Sequence, residues 1–314
     1  MEERFYHIDT QLARELIAKA SAAPKNASGQ NSDVLISGDY VVLKGWERSG
    51  KRGNNICIKK IDVCPSDKTP FDVIIEKLYE LNRQGVNVPR ILGYDYDASG
   101  MSEFKSNVED ENSPVHAAYA WGHVIMEKAA GQEMYDEKLI NSDKEYALQR
   151  TQALAAAPQK HFDKFVEDYM AITKAGIHVD TEHRPNFFYD EQKGFSFIDL
   201  NGLIDDEQVE KRISGDSHQN LGDFFFIPCH RTLDMWDMPS TKDLSPEEFE
   251  KLKNANKVIF EKCMNAVIAG GVATKEEIKQ YLYNTLRNFN GPKLNIAGLT
   301  NAFELPPKSG DREI

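Results

Sequence analysis

From residue 8 to 22, Leu12, Leu16 and Ile17 recur at helical spacing, with Asp9 or Thr10 placed to cap the first turn; the segment reads as an amphipathic helix. A polar connector, PKNASGQNSD at 24–33, ends it. The pattern then changes. DVLIS, YVVLKGWE and ICIKKIDV are three strand-like runs, separated by Gly38-Asp39 and by the loop RSGKRGNN, which predicts an antiparallel meander. Residues 69–84 return to helical spacing, with apolar positions at 74, 75, 78 and 81. NVPRILGYDY reads as a strand, 98–114 as an exposed polar insertion, and AAYAWGHVIMEKAAG as a buried strand ending in a glycine-containing crossover. From about 143 the spacing is mostly helical. Ser245…Glu248, with Pro246 in the first turn, and Thr274…Glu277 both form capping-box patterns. The tail after 303 is expected to fray.

One stretch departs from this alternation. In GIHVDTEHRPNFFYDEQKGFSFIDL, residues 176–200, NFFY and FSFI read as two aromatic strands of a β-hairpin joined through DEQKG. A turn centred on Gln192 and Lys193 sets Asn186 opposite Asp199 at the open end. Facing Cβ atoms of paired strands lie about 5 Å apart, so two side-chain oxygens there could reach one ion.

At 314 residues the chain is long enough for two domains or two lobes. Its 40% hydrophobic and 28% charged content are those of an ordinary globular protein. No apolar run approaches the roughly 20 residues that span a bilayer, and MEERFYHIDTQ lacks a basic-then-apolar signal pattern, so a cytoplasmic location away from membranes is expected. Cys57, Cys64, Cys229 and Cys263 show no CxxC spacing, which points to reduced thiols and no zinc. A net charge of −12 disfavours non-specific nucleic-acid binding and is compatible with a cationic substrate.

Phosphoryl transfer needs a cation on the phosphates, a metal bridging them, and a carboxylate to orient or deprotonate the acceptor. In ICIKKI, strand alternation sends Lys59 and Lys60 to opposite faces, and the next helix carries Glu76 at a distance suited to Lys59, with Asp72 and Glu80 as rivals. This run resembles the VAIK strand of protein kinases, with Lys59 at the lysine position and Glu76 at that of its glutamate partner. IEKLYELNRQGVNVPRILGYD and HVIMEKAAG are similar to segments of aminoglycoside and choline phosphotransferases, where the second lines the adenine pocket and links the lobes. His178-Val-Asp180, Asn186 and Ile-Asp199 fall where those families have the catalytic-loop His-x-Asp, its Asn and the metal-binding Asp. The resemblance spans roughly 33–200.

The resemblance implies a bilobal, protein kinase-like α+β fold. After a helix and connector over 1–32 would come a nucleotide-binding antiparallel β lobe over 33–128. A helical lobe with the catalytic loop and acceptor pocket would cover 129–302, with 303–314 as a tail. It also implies that Lys59 holds the phosphates of ATP, Glu76 fixes Lys59, Glu127 borders the nucleotide, Asp180 is the catalytic base, and Asn186 with Asp199 binds Mg²⁺. The expected reaction is transfer to the hydroxyl of a small, possibly cationic acceptor. Protein-kinase activity and a nucleotide- or partner-binding module without turnover are the alternatives.

The departures from the family pattern are specific. Asn186 lies one residue farther from Asp180 than in HRDLxxxN, and Leu200-Asn201 replaces Phe-Gly after Asp199. There is no GxGxxG and no APE triplet. Gly45–Arg52 imitates a P-loop, but Arg52 replaces its hydroxyl residue and no helix pattern follows.

Overall fold

In a computed structural model of the chain, the described residues are 2–5, 10–22, 27–28, 32–45, 70–96, 123–179, 186–200, 202–213 and 244–288. They form a mixed α/β protein with small antiparallel sheets. The expected strand over ICIKKIDV, the 98–114 insertion and the tail after 303 lie outside the described residues. The chain divides into two compact units. One comprises Met1–Ala130, Ala171–Val179 and Ser196–Asp206; the other comprises Gly131–Met170, Asp180–Phe195 and Glu207–Ile314.

The first unit is built on a six-stranded sheet of β1 (Glu2–Phe5), β2 (Ala27–Ser28), β3 (Ser32–Ser37), β4 (Tyr40–Gly45), β5 (Ile91–Tyr96) and β6 (His123–Glu127). Their order is β1-β5-β6-β4-β3-β2, antiparallel throughout. Gly38-Asp39 turns β3 into β4 with Ser37 opposite Tyr40, as that dipeptide between two apolar runs predicts. β1 was not foreseen: EERF has no strand alternation, and it pairs with β5 at the sheet edge. Helix α1 (Thr10–Ala22) closes one face, where Ala13 and Leu16 join Leu35, Val42, Leu92 and Ile125 in a buried cluster flanked by Leu12 and Ile17.

Helix α2 (Pro70–Arg83) buries Val73, Ile74, Ile75, Leu78 and Leu81, the stripe its spacing predicts. It ends in a Schellman motif: Val86 N–H reaches the Leu81 carbonyl at 3.0 Å and Gly85 N–H that of Asn82 at 3.0 Å, with Gly85 at φ 83°. The unit also holds a two-stranded ladder of β8 (Ile177–His178) and β11 (Gly202–Leu203).

The second unit contains α3 (Glu137–Ser142), α4 (Lys144–Ala156), most of α5 (Gln159–Lys174), most of α6 (Asp206–Ile213), α7 (Pro246–Ala269) and α8 (Lys275–Asn288). Both predicted capping boxes form, with Ser245–Glu248 opening α7 and Thr274–Glu277 opening α8. Along α7, Leu252, Ala255, Ile259, Phe260, Cys263, Ala266 and Val267 are buried at helical spacing. Its Lys262 ammonium donates to the carbonyls of Ala155 and Ala157 at 2.6 and 2.5 Å, so one helix caps the C-terminus of another. Cys263 is a buried free thiol, as expected of it. A sheet in the order β10-β9-β7 brings together β7 (Gln132–Glu133), β9 (Phe187–Asp190) and β10 (Gly194–Phe197). No helix among the described residues is long and apolar enough to cross a membrane.

Candidate functional site

Aromatic packing sets the hairpin β9–β10. Phe187, Tyr189, Phe195 and Phe197 are all buried. Phe195 meets Phe162 and Phe165 of α5 edge-on, each at 5.2 Å between centroids, and Tyr189 at 4.9 Å. At the tip, Asp190 Oδ1 accepts from Gln192 N–H at 2.9 Å and Lys193 N–H at 2.8 Å, an Asx turn. Those amides, that of Lys193 foremost, hold the Asp190 carboxyl below its ordinary pKa. The connection is the three residues Glu191–Lys193, centred on Gln192, one residue more than the Gln192-Lys193 dipeptide on which the turn was expected to centre.

Asn186 is buried immediately before β9. Its neighbour is pinned from the far side, because Met134 N–H donates to the Phe187 carbonyl at 2.7 Å and Gln132 pairs with Tyr189. Arg150 of α4 fixes β7 in turn: Nε donates to the Met134 carbonyl and Nη2 to that of Glu133, both at 2.8 Å. Its guanidinium also lies 5.9 Å from the Tyr189 ring centroid. Burial lowers the Arg150 pKa, yet guanidinium remains protonated at any working pH. His161 is buried beside them, 3.3 Å from the Tyr189 hydroxyl through Nδ1, and burial pushes its pKa down. Sequence reading missed Arg150 and His161, since single polar residues in amphipathic helices give no signal of what they will face.

In the first unit, β8 precedes Asp180 in the chain and β11 follows Asp199. The two strands pair antiparallel, with His178 opposite Gly202 and Ile177 opposite Leu203. Gly202 permits this approach, because a Cβ there would stand 3.1 Å from that of His178. Ile204 N–H donates to the Gly176 carbonyl at 2.9 Å, and Phe197 N–H to that of Asn87 at 3.0 Å. Asp199 is exposed at φ 58° and is the single non-glycine residue with positive φ among the described residues. Left-handed backbone costs a non-glycine residue about 1–2 kcal/mol, and such outliers gather at functional sites. Asp180 and Lys59 lie outside the described residues; Asn186 belongs to the second unit and Asp199 to the first.

Two features of the sheet concern β6. Glu127, at the end of β6, is exposed and its carboxylate pairs with Arg90 at 2.7 Å, while its N–H donates to the Arg90 carbonyl at 3.0 Å. Second, both edges of β6 are occupied, one by β5 and the other by β4. The strand beside β6 therefore carries Lys44, in register with His123. Glu76 is half-buried on α2. Among the described residues no group of three or more His, Cys, Asp or Glu side chains is placed to hold a metal. Mg²⁺ in nucleotide sites needs only one or two protein oxygens beside phosphate and water.

Compared with known proteins, the chain matches no family model and no curated protein.

Proposed function

We propose that the chain is an ATP- and Mg²⁺-dependent phosphotransferase of the bilobal protein kinase-like kind, acting on the hydroxyl of a small, possibly cationic molecule. One observation carries the reading. β8 and β11 form a single ladder, so the stretch entered from His178 and the one leaving Asp199 start from paired strands. Beside it, an antiparallel sheet and a helix bearing Glu76 supply the expected nucleotide-side elements.

Asp199 and Asn186, which the resemblance assigns to Mg²⁺, would each offer it a hard oxygen, a carboxylate and an amide. Bound Mg²⁺ supplies charge neutralisation across the β- and γ-phosphates. Asp180 accepts the proton of the acceptor hydroxyl as its oxygen bonds the γ-phosphorus and the bridging bond to ADP breaks. Glu76 orients a phosphate-binding lysine. Lys59, which the resemblance to the VAIK strand puts in that role, is that lysine. The two-residue turn at Gly38-Asp39 offers few backbone amides to phosphates, which favours nucleotide binding without turnover as the second reading.

ATP turnover across a panel of small hydroxylated acceptors tests the proposal. Asp180→Asn is expected to lower kcat by at least about 100-fold with the fold intact, the scale of a lost general base. Full activity in that variant removes Asp180 from the mechanism. Lys59→Ala is expected to weaken ATP binding, and an unchanged affinity removes Lys59 from the site. Nucleotide binding with no turnover on any acceptor establishes the second reading.

A further inference from the structure

Within the first unit, α2 and the connector behind it hold two separated stretches of chain. Lys77 Nζ donates to the carbonyl of Ala175. Ala175 is the residue just after α5, so its carbonyl is one of those a helix leaves without an internal partner, and a cation there also complements the helix dipole. The chain then turns at Gly176, whose carbonyl takes the Ile204 amide, and enters β8 at Ile177. Ten residues beyond Lys77, the Asn87 carbonyl accepts the Phe197 amide at the end of β10, two residues before Asp199. The Schellman motif at Gly85, and the Asn82 amide bound to the Val88 carbonyl at 3.3 Å, tie that connector to the helix. The approach to His178 and the approach to Asp199 are therefore both fastened to α2.

We propose that Lys77 is a positioning residue for phosphoryl transfer: through Ala175 it couples the placement of α2, and with it Glu76, to the loop that begins at His178. This rests on the phosphotransferase reading above. Glu76 and Lys77 are adjacent on one helix, so a displacement of α2 moves the lysine-orienting carboxylate and the root of the catalytic loop together. A lysine that only capped α5 would contribute to stability and leave the chemical step alone.

The test uses the full chain as wild type, Lys77→Met and Lys77→Arg, with two readouts. In hydrogen exchange, Lys77→Met is expected to speed exchange over 175–179 and 202–204 and leave β3 and β4 unchanged. In ATP turnover it is expected to lower kcat by roughly tenfold to 100-fold, the effect of misplacing a reacting group by about an ångström, with KM for ATP held. Lys77→Arg, which keeps charge and reach, is expected to restore both. Wild-type exchange and kcat in Lys77→Met overturn the proposal, as does a rise in KM with kcat unchanged. If β3 and β4 also lose protection, Lys77→Gln replaces Lys77→Met under the same criteria. A wild-type protein that turns over no ATP defeats the phosphotransferase reading instead; exchange then decides the coupling, and an unchanged 175–179 rejects it.

Discussion

His161 is a neutral base held where its charged form is unwelcome. It is buried, its Nδ1 meets the Tyr189 hydroxyl, and its rings pack edge-on with Tyr189 at 5.9 Å. Desolvation, with Lys160 next, lowers its pKa below the ordinary 6.5, against the opposing pull of Asp190. The unfolded chain therefore binds the proton first as pH falls. The stability contributed by this site is complete above about pH 6.5 and is lost progressively as pH falls below it, through the lower folded value. Urea midpoints at pH 7.5 and 5.5 are expected to show that loss in the wild type and a smaller one in His161→Gln, which cannot titrate. Equal losses would place the acid sensitivity elsewhere. Asp190 acts in a lower window, since its depressed pKa keeps the turn intact until pH falls below the ordinary 3.8.

At the scale of elements, the hairpin β9–β10 is a support whose strength comes from contacts at its back. β7 is only Gln132–Glu133, yet it is held by Arg150 and lies against Tyr189 so closely that no side chain fits before it. A Cβ on Gly131 would stand 2.1 Å from the Tyr189 carbonyl oxygen, at φ 78°. Gly85 has a similar φ of 83° but nothing within 4 Å. Gly85→Ala should therefore cost the left-handed strain alone, about 1–2 kcal/mol. Gly131→Ala adds a backbone clash and should cost more than about 3 kcal/mol. Denaturant unfolding of the pair separates the two effects, and equal costs would mean that β7 yields freely. The helix pattern was legible at this scale. Capping boxes at Ser245 and Thr274, and the stripe of α2, arise from contacts three or four residues apart, which sequence displays directly.

Across the whole molecule, the functional proposal predicts linkage. A nucleotide that binds the folded chain at roughly 100 times its Kd stabilises it by about 2.7 kcal/mol, or about 5 °C in a chain of this size. That shift is expected with ATP and Mg²⁺ together, and no shift under either condition, with metal or without, would remove the nucleotide from the account. By itself the sequence determined what local interactions control: the β3–β4 hairpin, the α1 and α2 faces, and the helix caps. It also marked Asn186 and Asp199 as polar residues at the feet of an aromatic hairpin. The tertiary structure decided which strand neighbours which. Only pairing showed that β4 lies beside β6 and that EERF completes the sheet edge. Only packing put Arg150 behind β7, His161 behind Tyr189, and Lys77 on the end of α5. The physical reason is range. Hydrogen bonds of turns and helices join residues a few positions apart, whereas strand order and buried polar contacts join residues whose separation along the chain carries no periodic trace.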